Sequence, residues 1–325
     1  MIVMSNMNKR RWIALAIVVV IVGAALFLQI LRGDTISASA PKLWQEEIVS
    51  GSGSDKILQL YVEGVISEET SWNSSFDYEA LISQLNQGKD DPKVKAFVIR
   101  INSPGGAVVP TDELYRKLKQ IKAETKKPIV ISMGSYAASG GYYIATAGDK
   151  IFANPSTLTG SLGVIASYLN YGELAEKYGV KEVVIKSGKF KDIGNPMREM
   201  TQDEQALLQN MINESYQQFV SVIAEGRKMP REKVLQLADG RVYTGKQAKA
   251  NGLVDEFGTL EDATEAARKM AGLQEATVVR YEEPFGFSKI FSSFSAKLFS
   301  LNLQSLPDVL KEERRTPSLE YIYRP

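Results

Sequence analysis

Two short, unbroken apolar runs in the middle of the chain, each ended by a cluster of small residues, restrict its possible folds most. These are "VKAFVIRINSPGG" (94–106) and "PIVISMGSYAASGG" (128–141). Apolar runs of this length bounded by turn residues read as strands. Helical patterns alternate with them. "FDYEALISQLNQG" (76–88) puts Tyr78, Leu81, Ile82 and Leu85 on one face, and "TDELYRKLKQIKAETKK" (111–127) is a charged amphipathic helix with acidic residues in its first turn. "KILQLYVEGVI" (56–66) opens the folded region as a strand, and "VVIKSG" (183–188) repeats the apolar-strand pattern. A long helix over 201–228 starts at a Thr201/Glu204 capping box. "GRVYTGKQAKANGLVDEFG" (240–258) supplies a turn, a short helix and a strand, and a helix over 261–272 closes the domain. This alternation predicts an α/β fold with a largely parallel sheet.

The first 34 residues are of another kind. From Trp12 to Leu31 the chain is apolar but for Gln29, and Lys9, Arg10 and Arg11 precede it. About 20 apolar residues span a bilayer as a helix, and flanking cations stay on the cytoplasmic side. The expectation is an N-terminal transmembrane anchor with everything beyond it outside the cytoplasmic membrane. A cleaved signal peptide with Ala38-Ser39-Ala40 as its processing site is the rival, but the apolar stretch is longer than a signal core and Pro41 would follow the cut. Residues 35–54 are small and polar, a flexible stalk, and 55–275 form the main domain. In the remaining segment, 276–325, Phe287, Ile290, Phe291, Phe294, Leu298 and Leu301 form one helical stripe, and the end "LEYIYRP" is expected to be mobile.

Composition excludes several kinds of chemistry. The chain has no cysteine and no histidine, which removes disulfides, thiolate or imidazole metal sites, and both Ser-His-Asp and Cys-His catalysis. Its 39 basic and 38 acidic residues leave a net charge of +1, which is no nucleic-acid footprint. No cofactor or metal is expected.

Ser103, Ser132, Ser135, Ser139 and Ser161 are the central serines. Ser132 lies within a strand, Ser103 precedes Pro104 in a turn, and Ser135 could brace the following turn. Ser139 differs, standing in "ASGG" at a strand-to-helix junction, where unpaired backbone N–H groups and the helix dipole favour negative charge. Tight packing alone also explains such a run of small residues. Acyl transfer further needs donors for a developing oxyanion, and the N–H groups of Gly106, in "SPGG", and Gly140 could supply them. No Gly-Lys-Ser/Thr follows the glycine loop, so it is not a phosphate loop. Without histidine the base must be Lys, Asp or Glu. A catalytic lysine must fall from about 10.4 to about 7–8, roughly 4 kcal/mol of differential interaction, so it must be sheltered. "IKSGKFKDIGNP" (185–196) offers Lys186, Lys189 and Lys191, which could equally be simple solvated charges.

Together, "INSPGG", "SYAASGGYYIA", "GSLGV", "KSGKFKD" and "GRVYTGKQAKANGLVDEFG" resemble the signal peptide peptidase A family over residues 56–272. These are membrane-bound serine proteases of the Clp protease/crotonase superfamily. One copy of the domain corresponds to the short form of the family. The resemblance implies a Clp protease/crotonase-like fold of repeated β-β-α units. It implies Ser139 as nucleophile, Lys191 as general base, Ser161 as the serine that positions the lysine, and Gly106 with Gly140 as the oxyanion hole. It further implies a dome-shaped ring of identical subunits on the membrane, with Ser139 and Lys191 meeting across an interface. The implied substrates are remnant signal peptides and other apolar peptides. Lys189 is the alternative base. Two other functions stand beside the protease: a crotonase-like acyl-CoA enzyme and a silent anchored scaffold. The C-terminal fifty residues lie outside these motifs, and one hypothesis is that the mobile "LEYIYRP" end enters a neighbouring subunit's cleft and is trimmed or held there.

Overall fold

The computed structural model describes residues 44–68, 76–283 and 320–323. The expected anchor over 12–31 and the stripe from Phe287 to Leu301 lie outside them, and among the described residues no helix is long and apolar enough to cross a membrane. The strands are β1 (Gln45–Gly51), β2 (Lys56–Glu63), β3 (Val94–Ser103), β4 (Gly105–Ala107), β5 (Ile129–Ala138), β6 (Lys150–Ala153), β7 (Leu158–Gly160), β8 (Val242–Thr244), β9 (Glu256–Phe257), β10 (Thr277–Glu282) and β11 (Glu320–Ile322). The helices are α1 (Tyr78–Asp90), α2 (Val108–Thr125), α3 (Gly140–Ala145), α4 (Gly172–Lys177), α5 (Gln202–Gly226), α6 (Arg231–Leu237), α7 (Gly245–Ala250) and α8 (Leu260–Met270).

One mostly parallel sheet, in the order β1-β10-β2-β3-β5-β6-β9, organises these elements, with β7 beside the end of β5 and β8 antiparallel to β7. Parallel neighbours need a crossover connection, and α1 between β2 and β3 and α2 ahead of β5 provide it. The register sets Leu60 beside Ile99 and Ile99 beside Ile131. Their unbroken apolar character follows from burial on both faces. Leu58, Leu60, Phe97, Ile99 and Ile131 pack under α1 and α2 through Leu85, Leu114, Leu118 and Ile121. On the other face Ile57, Ala96, Val98 and Val130 meet Ala263 and Ala267 of α8. Parallel sheets covered by helices lose the polar alternation of half-exposed strands.

The structure departs from the sequence reading in three places that matter. First, two segments placed outside the domain belong to its sheet: residues 45–51, within the expected stalk, form β1, and residues 277–282 form β10, paired antiparallel to β1 and parallel to β2. Second, α2 begins at Val108, one turn before Thr111, and springs directly from the glycine loop with no side-chain cap and no acidic first turn. Third, residues 183–188 form no strand. Val183 is 84% and Ile185 97% exposed, because no described strand lies alongside to complete their hydrogen bonds or cover their side chains. By contrast, the predicted capping box at Thr201 and Glu204 is present in both directions.

Phe97, fully buried between β2 and the two covering helices, provides a test of this packing. Phe97→Ala is expected to destabilise the domain by about 3–5 kcal/mol, measured as a lowered denaturant midpoint at unchanged slope. A loss under about 1 kcal/mol would contradict the packing described.

Candidate active site

β5 ends at Ala138 and α3 starts at Gly140, so Ser139 alone makes the turn between them. Its backbone sits at φ 52°, ψ −114°, a strained conformation for a residue with a Cβ. Two hydrogen bonds hold it there: Ser139 N–H donates to the Gly160 carbonyl (2.8 Å), and Tyr143 N–H donates to the Ser139 carbonyl (2.9 Å). The side chain is 1% exposed and its Oγ has no hydrogen-bond partner among the described residues. A buried hydroxyl with nothing to bond to, on a strained turn, calls for an explanation beyond folding.

Next to it lies the glycine loop. Ser103 Oγ donates to the Gly64 carbonyl (2.6 Å) and accepts from Gly105 N–H (3.1 Å), which braces the turn as expected of a turn former. Gly105 takes φ 100° and Gly106 bridges to Ile66. A Cβ on Gly106 would fall 2.0 Å from the Ile66 carbonyl oxygen, so only glycine fits there. A Cβ on Gly105 would fall 2.6 Å from Gly140 N, which puts the two predicted oxyanion loops in contact.

An extended segment already occupies this cleft. β11 pairs antiparallel with β4, with Tyr321 opposite Gly106. Because Tyr323 N–H donates to the Pro104 carbonyl (2.7 Å), the ladder's alternation makes Tyr321 and Gly106 the next hydrogen-bonded pair. Gly106 N–H therefore faces the Tyr321 carbonyl, which also lies 3.1 Å from where a Gly140 Cβ would stand. On its other edge Glu320 exchanges both backbone hydrogen bonds with Ile165, at 3.0 and 3.1 Å. The Tyr321 ring fills an aromatic pocket, stacked 5.2 Å from Tyr143 and tilted 4.8 Å from Phe219, and its hydroxyl donates to the Ser215 carbonyl (3.0 Å). Burial pushes the Tyr143 and Tyr321 phenols upward, so both remain neutral donors. This end of the chain was expected to be mobile or to enter a neighbour's cleft; residues 320–323 instead lie ordered in the cleft of their own chain, because Tyr321 gains burial that solvent cannot offer.

Of the predicted site residues, the fold assembles Ser139, Gly140 and Gly106, with Ser161 at φ 50° one residue beyond Gly160 and anchored by its N–H on the Arg241 carbonyl (2.8 Å). Ser132 instead accepts from Arg100 (2.8 Å), and Ser135 is exposed. Lys191 does not join the group. It lies on an exposed turn, and Ser139 Oγ has no partner among the described residues. Lys186 is paired with Asp192 (2.5 Å) and Lys189 with Asp203, while Lys191 has no carboxylate partner among the described residues. Sequence reasoning missed the aromatic pocket and the role of Ile165 as the far wall of the cleft. The aromatic spacing of "GGYYIA" was the available signal for the pocket, whereas nothing local marks Ile165.

A strand-binding cleft with a strained serine turn and paired glycine loops, on a mostly parallel α/β sheet, defines a serine peptidase with a Clp protease-like fold. Residues 51–159 match the Clp protease family model, and residues 121–274 match that of peptidase family S49. An Enterococcus faecium protein provisionally named signal peptide peptidase SppA is 36% identical over 85% of each chain. Protease 4 of Salmonella typhi is 34% identical over 78% of this chain and 40% of its own, and the chloroplastic serine protease SPPA of Arabidopsis thaliana 36% identical over 76% and 37%. The chain belongs to peptidase family S49.

The strain at Ser139 is testable apart from catalysis. Ser139→Gly removes the Cβ that opposes a positive φ and is expected to be about 1 kcal/mol more stable than Ser139→Ala, by thermal or denaturant unfolding. Equal stabilities would show that the turn stores no such strain.

Proposed function

We propose that the protein is a membrane-anchored serine endopeptidase with Ser139 as nucleophile and Lys191 as general base, acting on remnant signal peptides and other apolar peptides. The observation that carries this reading is the strand Glu320–Ile322 on Gly105–Ala107, with the Tyr321 carbonyl beside Gly140. Adding an extended peptide to a sheet edge binds through the backbone and leaves side chains to select the sequence. A substrate in the same position would present its carbonyl carbon to the Ser139 turn.

Lys191 would accept the Ser139 proton as Oγ bonds to that carbon, and the N–H groups of Gly106 and Gly140 would hold the resulting oxyanion. Collapse of the tetrahedral intermediate breaks the peptide bond, Lys191 returns the proton to the leaving amine, and water then releases the acyl-enzyme. Ser161, tied to the Ser139 turn through its neighbour Gly160, is suited to orient the lysine. Carboxylate pairing favours Lys191 over its neighbours, because an amine already held by a carboxylate is not free to reach a serine hydroxyl. Lys186 and Lys189 are both so held.

Lys191 would reach Ser139 from a second copy of the chain. Among the described residues the apolar strand pattern at 183–188 is unpaired and exposed, which suits a segment completed by a partner, and repetition of that contact would close a ring. The apolar run over 12–31, following Lys9, Arg10 and Arg11, would anchor the ring with its cleft on the extracytoplasmic side of the membrane. An enclosed cleft there suits apolar peptides left in the bilayer and would provide the shelter a lysine base requires. A silent scaffold would have no use for the strained turn at Ser139.

Full-length protein in detergent and a fluorogenic apolar peptide test these assignments. Ser139→Ala and Lys191→Ala should each be inactive while folded and assembled. When the two variants are co-expressed in equal amounts, about a quarter of parental activity should return, since half the nucleophiles would face half the lysines across interfaces. No recovery would exclude a shared site, and an active Lys191→Ala would redirect the assignment to Lys189.

A further inference from the structure

We infer that Arg198 is the positioning residue for Lys191, clamping the lysine's turn to the start of α5; this rests on the reading of Lys191 as base. All five guanidinium N–H groups have acceptors. Nε donates to Asp192 Oδ2 (3.0 Å), and Nη1 to Glu204 Oε2 (2.8 Å) and the Glu199 carbonyl (2.9 Å). Nη2 donates to Glu204 Oε1 (2.5 Å) and the Asp192 carbonyl (3.1 Å). The grip on Glu204 is bidentate, the strongest geometry an arginine offers a carboxylate.

Each end of the clamp is tied down separately. Glu204 is 2% exposed and accepts from Thr201 N–H (2.8 Å) as part of the capping box, so it is fixed to the first turn of the longest described helix. Asp192 is held by backbone and side chain together, and its other oxygen accepts from Lys186 (2.5 Å). Lys191 sits directly between this anchored residue and its own N–H bond to the Gly188 carbonyl (3.2 Å). Its main chain is thus held on both sides, and the side-chain torsions alone remain to aim the amine. The clamp also engages the Asp192 and Glu204 carboxylates, so that neither is paired with Lys191.

Arginine is required here because the fork reaches five acceptors in three directions, and a lysine donates at most three hydrogen bonds from one point. Misplacing a catalytic group by about 1 Å can cost about a hundredfold in rate. Arg198→Lys, in the full-length assembled protein, should lower kcat about tenfold or more while KM stays within about twofold, because the strand-binding cleft is untouched. The acidic limb of its rate profile should move to higher pH, since freed carboxylates stabilise the protonated amine. Asp192→Asn, which loses the charge but keeps the backbone grip, should show a smaller fall in kcat in the same direction, and it decides the matter if Arg198→Lys does not fold. Parental kcat with an unmoved acidic limb in a folded Arg198→Lys, or parental kcat in Asp192→Asn where that variant alone folds, would overturn the inference. Lys191→Ala run alongside separates the two ideas. If it is active, the base assignment itself has failed; if it is inactive beside a fully active Arg198→Lys, only the clamp has.

Discussion

The turn at Ser139 is the constraint around which the rest of the structure is arranged. A central strand must stop and a helix begin within one residue, and the backbone pays for that with a positive φ. Two hydrogen bonds hold the turn, one from β7 and one from the first turn of α3. Small residues must follow, since α3 is wholly buried and a Cβ on Gly141 would stand 2.9 Å from the Ser103 carbonyl oxygen. The same crowding brings the glycine loop against the turn. The buried serine and the two glycine loops beside it are therefore consequences of one packing arrangement between β3, β5 and α3.

The segment that carries the lysines is built differently. Residues 165–200 have one short helix, no strand and many exposed apolar side chains, and ion pairs rather than burial organise their far end. Arg198 holds the Glu204 carboxyl down to about 2 and the Asp192 carboxyl well below its usual range, with Lys186 adding to the latter. Carboxylates with depressed folded values contribute stability that is fully present above the ordinary carboxylate range and lost as pH falls through the folded values. That charge network therefore stays intact throughout the near-neutral range. On the proposed reading, the packed half holds Ser139 and the exposed, ion-paired half holds Lys191.

Binding at the cleft depends on the backbone first. β11 is held on one edge by Pro104 and the glycine loop and on the other by Ile165, and the Tyr321 side chain then selects the aromatic pocket. Any extended chain could make the first set of contacts, whereas the pocket distinguishes side chains. In this structure residues 320–323 make both sets of contacts.

Much of this was legible in the residue order. The apolar runs at 94–103 and 129–138, the helix start at Thr201 and the junction at Ser139 all depend on a residue and its near neighbours, which periodicity and capping chemistry report directly. The run at 183–188 carries the same strand signal, yet among the described residues it finds no neighbour to pair with, and pairing rather than propensity makes a strand. β1 and β10 show the converse, weak local signals made into sheet by each other. The sequence by itself determined the class of fold, the serine at the strand-to-helix junction and the absence of any histidine-based chemistry, because these are set by composition and local pattern. Only the tertiary structure decided which glycines meet Ser139, that Tyr321 lies on them, and that Arg198 joins Asp192 to Glu204. Those relations arise from segments brought together by packing, and no local pattern encodes them.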